Sequence, residues 1–220
     1  MIPLYDTAQT RKLPIVTWLL IAANVLIFIY EMSLGSAGLE TFLRAWGLVP
    51  ARLFAHPETQ WITILTSMFL HGGWIHILSN MWVLFIFGDN VEERMGGGRY
   101  LVFYLMSGTA AALLQSFLLS RSGEPMIGAS GAIAGVLGAY LILFPHARVA
   151  SLVPILFIFT VIQVPATLFL LFWFVSQLFS GWMTLGGASG SGVAWWAHVG
   201  GFIFGMLAVY FFARRRIYTY

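Results

Sequence analysis

The sequence predicts an all-α integral membrane protein with six transmembrane helices. Hydrophobic residues make up 60% of the 220 residues and charged residues only 9%, whereas a soluble domain carries about 25% charged residues. So few charges cannot cover a globular surface in water, and lipid must therefore contact most of it. Several apolar runs also approach or exceed the roughly 17–25 residues of a transmembrane helix.

The apolar runs follow one another from the N-terminus to the C-terminus with short breaks. The first run has no small-residue cleavage site behind it, which favours a retained helix over a signal peptide. Residues 35–60 are interpreted as a loop of mixed polarity, and residues 61–70 as an apolar stretch too short to cross. The predicted spans cover residues 13–34, 74–91, 100–119, 130–144, 166–182 and 193–213.

A further apolar run, residues 150–164, is not predicted to cross the membrane. As a helix it would be about 22 Å long, short of a hydrocarbon core of about 30 Å. It is rich in Val, Ile and Phe and contains Pro154, which favours an extended or interfacial segment. Whether such a segment is interfacial or partly inserted stays open.

The distribution of basic residues favours six spans with both termini in the cytoplasm. Eight of the 11 basic residues then lie on the inner side and three on the outer side, in line with the positive-inside rule. Residues 1–12 become a short cytoplasmic tail, residues 13–213 a six-helix domain and residues 214–220 a basic cytoplasmic tail. The net charge of +3 is small and lies at segment ends, which disfavours nucleic-acid binding.

Four polar side chains lie near the starts of predicted spans, where polar groups are costly and usually functional. His76 and Asn80 are four residues apart and share one helix face. Ser130 opens the fourth span, and His198 lies close to the start of the sixth. Because the second, fourth and sixth spans all begin on the outer side, all four residues are expected at a similar depth in the outer third of the membrane.

Ser130 and His198 suit nucleophilic catalysis. A serine hydroxyl becomes a good nucleophile when a nearby neutral histidine takes its proton. The backbone N–H of Ser130, near a helix start, can donate to an oxyanion, and the side chains of His76 and Asn80 can add donors. Small residues on the fourth and sixth spans allow the close helix packing that this pair requires: Gly131, Gly135 and Gly138, with Ala197, Gly201 and Gly205.

Four motifs, in this order along the chain, resemble those of the rhomboid proteases: His76-x-x-x-Asn80, Glu92-x-Arg94 before Gly96, Gly128-Ala129-Ser130-Gly131, and Ala197-His198-x-x-Gly201-x-x-x-Gly205. The resemblance covers about residues 61–213 and implies a six-helix rhomboid bundle. It implies a serine endopeptidase with Ser130 and His198 as catalytic dyad and His76 and Asn80 in the oxyanion role. Some rhomboids have Tyr four residues after the serine, and many have Trp-Arg in the first loop; this chain has Ala134 and Trp61-Ile62.

The resemblance also implies partners and a location. Single-pass transmembrane proteins are the expected substrates. As a separate hypothesis, the end of the substrate helix unwinds and enters between the second and fifth spans, and the Gly-rich composition of residues 182–192 suggests a lid. Neither a cofactor nor a metal is expected, and the absence of cysteine excludes Cys nucleophiles and disulfides. The compact form favours the inner membrane of a prokaryote.

Other interpretations compete with this one. The string Gly-Ala-Ser-Gly recurs at residues 187–190, but Ser189 lies in a Gly/Ser loop instead of at a helix start. A catalytically inactive rhomboid-like protein that binds transmembrane clients would keep the fold. A transporter would carry charged residues near mid-membrane, and a metalloprotein would use His71, His76 and His198. No acidic residue follows Glu124, so no carboxylate from the later spans can complete a triad.

Overall fold

The protein is a bundle of apolar helices with a small β-sheet at one end. The computed structural model describes residues 1–155, 158–185 and 192–214. A 3-10 turn, Ser67–Phe69, precedes α6. In chain order the other elements are β1 (Ile2–Asp6), α1 (Ile15–Ser33), α2 (Gly35–Trp46), α3 (Pro50–Ala55), α4 (Pro57–Gln60), α5 (Thr63–Thr66), α6 (Trp74–Met95), α7 (Gly97–Leu118), α8 (Ser130–Leu143), β2 (Arg148–Ile155), β3 (Ile158–Pro165), α9 (Ala166–Leu185) and α10 (Trp195–Phe212).

The helices confirm a multi-pass membrane protein. In the part of the chain that the structure describes, four helices are long and apolar enough to cross a membrane, namely α1, α7, α9 and α10. A fifth candidate arises if residues 63–69 and α6, which meet at 93°, count as one broken span. The remaining predicted span, α8, has only 14 residues and is almost wholly buried among its neighbours. The number six therefore stays a prediction.

The all-α prediction is wrong in one respect, because three strands form an antiparallel sheet in the order β1-β2-β3. The register pairs Asp6 with Val149 in β1 and β2, and Arg148 with Pro165 in β2 and β3. The expectation that residues 150–164 are extended is confirmed for the described residues. Within residues 1–12, predicted as a short cytoplasmic tail, residues 2–6 form β1, whose pairing partner β2 lies far along the chain.

Side chains of α6 and α8 hold β1 against the bundle through hydrogen bonds. Asp6 Oδ2 accepts hydrogen bonds from the Tyr140 hydroxyl at 2.5 Å and from Asn90 Nδ2 at 2.9 Å. Trp82 Nε1 donates to the carbonyl of Pro3 at 2.6 Å. Asn90 lies near the C-terminal end of α6 and Tyr140 near that of α8. The sheet is therefore attached at the end of these helices opposite to Ser130.

The Asp6 carboxyl makes the attachment of β1 dependent on pH. Burial, opposed by hydrogen bonds and reinforced by the nearby Asp89, raises the pKa of Asp6 from 3.8 to about 6. A raised carboxyl pKa means that the folded state binds the proton more tightly than the unfolded state, so this contribution to stability is lost as pH rises from about 4 to about 6. We expect the Tm of the wild type to fall relative to that of Asp6→Asn between pH 4.5 and pH 7.5, measured by thermal unfolding in detergent. A constant Tm difference between the two proteins would contradict this assignment.

The prediction of a loop at residues 35–60 is also wrong, because most of this segment is helical. In α2, Leu39, Phe42 and Leu43 recur at helical spacing and are half-buried on one face, while the rest of the helix apart from Gly38 is exposed. Proline stands at the first position of α3 and of α4, where its missing N–H costs nothing. The mixed polarity that suggested a loop is the pattern of an amphipathic surface helix.

Glycine allows α8 and α10 to touch through their backbones. A Cβ atom at Gly201 would lie 2.0 Å from the carbonyl oxygen of Gly131, and one at Gly205 would lie 2.0 Å from that of Gly135. A Cβ atom at Gly138 would lie 2.1 Å from the carbonyl oxygen of Phe202. The predicted meeting of small-residue faces is confirmed. This contact sets the distance between Ser130 and His198.

Candidate active site

Ser130 and His198 lie face to face at the starts of two packed helices. Ser130 is the first residue of α8, and His198 is in the first turn of α10. His198 Nε2 is 2.8 Å from Ser130 Oγ, a hydrogen-bonding distance. His198 is 8% exposed, whereas Ser130 is half-buried. The hydroxyl is therefore open to an incoming group on one side and held by the imidazole on the other.

An open cleft of about 740 Å³ leads to this pair. One wall comes from the N-terminal half of α6 and includes His76 and Asn80, and another from residues 192–194 before α10. Trp74 and Ile75, at the start of α6, are strongly exposed and lie at its margin. All four predicted site residues thus line one cavity.

Gly128 brings the backbone before Ser130 close to α6. Its φ of +119° lies in the region that side chains rarely adopt. A Cβ atom there would lie 2.6 Å from His76 Nε2 and 3.7 Å from Asn80 Nδ2. The N–H of Gly128 donates to the carbonyl of Ser67 at 2.8 Å, which holds this turn in place. The chain can approach His76 this closely only without a side chain at position 128.

Hydrogen-bond donors point into the site without protein partners. Asn80 Nδ2 is buried and has no partner among the described residues. His76 Nδ1 accepts a weak hydrogen bond from the N–H of Gly72 at 3.4 Å, which leaves Nε2 as the protonated nitrogen of the neutral ring. The Ser130 N–H belongs to the first turn of α8, whose N–H groups lack acceptors within the helix. These three donors suit an oxyanion.

Two side chains of α9 that no motif singled out lie behind His198. Gln177 Oε1 is 2.8 Å from His198 Nδ1, and both residues are buried. The Trp173 ring lies over the imidazole, with 5.8 Å between centroids and 32° between planes. Trp195 meets the same ring edge-on at 6.0 Å. Position 134 on α8 is alanine, and Trp173 and Trp195 supply the aromatic surfaces that contact the imidazole.

The start of α10 is held by a side chain from α7. Gln115 Oε1 accepts a hydrogen bond from the N–H of Ala197 at 3.1 Å, next to His198. The same N–H also donates to the carbonyl of Ala194 at 3.0 Å, so Gln115 is the second acceptor of a three-centre hydrogen bond of the kind common at helix ends. No side chain of α10 itself caps the helix. Gln115 is therefore one of the groups that set the position of the His198 backbone.

His71, the other histidine candidate, does not line the cleft. His71 is fully buried, with its ring 5.0 Å from that of His76, and its N–H donates to both carboxylate oxygens of Glu31. Within the described ranges no group of three or more His, Asp or Glu side chains is arranged to hold a metal ion. Ser189 and most of the predicted lid fall in residues 186–191, outside the described residues.

Comparisons with known proteins agree with these motifs. The sequence model of the Rhomboid domain matches residues 58–215. The chain is 40% identical to Rhomboid protease GluP of Bacillus subtilis over 129 residues. These residues make up 58% of this chain and 24% of that protein. It is 33% identical over 114 residues to Rhomboid-like protein 11, chloroplastic, of Arabidopsis thaliana, covering 52% of this chain and 40% of that protein.

A third relative, Rhomboid protein 1, mitochondrial, of Saccharomyces cerevisiae, is 29% identical over 144 residues, or 63% of this chain and 40% of the yeast protein. The matched segments thus cover less than half of each of these relatives. Two of these relatives are named as organelle proteins of eukaryotes, and one is named as a bacterial protease. The Rhomboid domain match takes in more than half of the 220 residues, including every residue of the site, and this chain belongs to the rhomboid family.

Proposed function

We propose that this protein is an intramembrane serine endopeptidase that cleaves transmembrane-helix substrates near the outer membrane face. Ser130 is the nucleophile and His198 the general base. The observation that carries the proposal is the 2.8 Å contact between His198 Nε2 and Ser130 Oγ at the foot of an open cleft. Membership of the rhomboid family supports intramembrane proteolysis in general.

The acylation step uses the contact directly. His198 Nε2 takes the proton of Ser130 Oγ as the oxygen attacks the scissile carbonyl carbon. The resulting oxyanion accepts hydrogen bonds from the Ser130 N–H, Asn80 Nδ2 and His76 Nε2. The protonated imidazole then gives its proton to the leaving amine nitrogen, the C–N bond breaks, and an ester to Ser130 remains.

The deacylation step repeats the same transfers with water. His198 Nε2 takes a proton from a water molecule, whose oxygen attacks the ester carbonyl. The second oxyanion is stabilised by the same donors, and the proton on the imidazole returns to Ser130 Oγ as the C–O bond breaks. A carboxylic acid leaves, and the enzyme is restored without any cofactor in the sequence of steps.

The substrate is a single-pass transmembrane protein whose helix end unwinds beside α6. The cleft opens next to the exposed side chains of Trp74 and Ile75 at the start of α6. The basic residues support cytoplasmic termini, which puts the cleft near the outer face. The inner membrane of a prokaryote stays a prediction.

Cleavage by purified protein in liposomes that contain a panel of single-pass proteins tests the proposal. The new termini of the two products, mapped by mass spectrometry, should lie near the outer boundary of the substrate helix. If no member of the panel is cut while one or more co-purify with the protein, the alternative of an inactive rhomboid-like protein that binds transmembrane clients is correct instead.

Removal of the Asn80 amide should slow catalysis without impairing the fold. Because the loss of a single oxyanion donor lowers kcat by about 10²–10³, we expect a reduction of that size for Asn80→Ala. Leu78→Ala, on the exposed side of the same helix, is the matched control. Equal kcat values for the two variants, measured with the same transmembrane substrate, would remove Asn80 from the oxyanion role.

A further inference from the structure

We propose that Gln177 is a positioning residue that holds His198 in the tautomer and orientation required for it to accept the Ser130 proton. The inference deepens the proposed protease function and rests on it. Gln177 lies on α9, 21 positions before His198, and is 6% exposed. Its amide makes contacts on both sides, to the imidazole and to its own helix.

The hydrogen bonds around Gln177 determine which end of its amide faces His198. Ser176 Oγ is 2.6 Å from the carbonyl of Trp173, and its one proton is therefore used in that bond. Its oxygen must consequently accept from Gln177 Nε2, which lies 2.8 Å away. Gln177 Nε2 also donates to the carbonyl of Trp173 at 3.2 Å. The NH₂ group thus points to α9 and leaves Oε1 for the histidine.

The orientation of the amide determines the tautomer of the imidazole. Gln177 Oε1 can only accept, so His198 Nδ1, at 2.8 Å, must carry the hydrogen. In a neutral imidazole the other nitrogen is then unprotonated. That nitrogen, Nε2, faces Ser130 Oγ at 2.8 Å. The chain of contacts from Trp173 to Ser130 therefore presents a lone pair to the serine proton.

A neutral amide in this role agrees with the setting of the site. In water-soluble serine proteases a buried aspartate holds the histidine, but an unpaired carboxylate is costly to bury among apolar helices. None of the residues after Glu124 is acidic. Trp173, one turn before Gln177, restricts rotation of the imidazole by packing over its face. The helix α9 thus supplies both the acceptor and the packing surface.

The test compares Gln177→Met, which keeps length but loses the acceptor, with Gln177→Glu, which keeps an acceptor oxygen. Val175→Met, on the exposed side of α9, controls for introducing methionine. We expect Gln177→Met to lower kcat about 10²-fold with KM changed less than twofold, and to slow fluorophosphonate labelling of Ser130 equally. Gln177→Glu should recover most of the labelling rate, because burial keeps the carboxyl protonated, with one oxygen to accept from Nδ1 and one O–H to donate to α9. Labelling of Gln177→Met within twofold of Val175→Met would overturn the inference.

A second measurement separates this inference from the proposed function. ¹⁵N spectra of histidine-labelled protein in bilayers, with the His198 signals assigned by their loss in His198→Ala, report the tautomer directly. We expect Nδ1–H in the wild type and a mixture of tautomers in Gln177→Met. An Nε2–H tautomer in the wild type would refute the role of Gln177 even if the protein is an active protease. If the protein neither cleaves a substrate nor is labelled by the fluorophosphonate, the proposed function fails. The spectra still show whether Gln177 sets the tautomer of His198.

Discussion

Ser130→Ala and His198→Ala should each lower cleavage of a transmembrane substrate by about 10⁴-fold or more, to the background of the assay. Removal of either partner eliminates the nucleophile or its base, and losses of this order or larger follow in other serine proteases. The two residues act as a unit through one hydrogen bond of 2.8 Å. The double variant should therefore be no slower than either single variant.

Ser189→Ala is the matched control for these two variants, because it makes the same change in the second Gly-Ala-Ser-Gly string. It should cut at the rate of the wild type. Initial rates in proteoliposomes, with equal incorporation checked for each variant, give the comparison. Turnover by Ser130→Ala above background, or loss of turnover in Ser189→Ala, would show that the assignment of the nucleophile to Ser130 is wrong.

Gly201→Ala should destabilise the bundle and abolish most of the activity. The added Cβ atom would lie 2.0 Å from the backbone oxygen of Gly131, and no side-chain rotation can relieve that overlap. Overpacking of this kind costs about 1–3 kcal/mol or more. If α8 and α10 separate by about 1 Å instead, Ser130 moves away from His198, and a misplacement of that size can cost about 10²-fold in rate.

Gly98→Ala provides the opposite case for the same substitution. A Cβ atom at Gly98, near the start of α7, would meet no described atom within 4 Å. Alanine in place of a helical glycine then stabilises by about 0.5–1 kcal/mol. Thermal unfolding in detergent and initial rates should show a lower Tm and rate for Gly201→Ala, and an unchanged rate for Gly98→Ala. If Gly201→Ala retains the stability and rate of the wild type, α8 and α10 do not touch through their backbones.

The meeting of Ser130 with His198 could be predicted because both are near helix starts on the same side of the membrane. Short polar motifs in an apolar sequence stand out, and the charge distribution put the ends of the spans on defined sides. The facing glycines of α8 and α10 follow a pattern that is visible in the sequence. These parts of the site depend on local spacing and on topology alone.

Gln177 and Trp173 could not be predicted, because their roles depend on how α9 rotates against α10. A single glutamine in an apolar helix is equally compatible with a contact to lipid headgroups or to another helix. Trp173 stands in a run of aromatic residues in which no pattern separates the lipid-facing from the buried members. Only the packing of the two helices shows which side chains lie against His198.

The β-sheet was partly predictable for a similar reason. The hairpin of β2 and β3 is local, and its Val- and Ile-rich sequence favours strands. The pairing of β1 with β2 joins Asp6 to Val149, and nothing near either residue specifies the other. Long-range pairing of a five-residue strand depends on the surface that α6 and α8 present to it.

The activation of Ser130 by His198 is tested most directly by covalent labelling with a fluorophosphonate. The probe needs no transmembrane substrate and reacts with a serine only when a base raises its nucleophilicity. Intact-mass and peptide analysis of the protein in bilayers should show one adduct, on Ser130, that is absent in His198→Ala and unchanged in Ser189→Ala. No adduct in the folded wild type, or equal labelling of Ser130 in His198→Ala, would contradict the account.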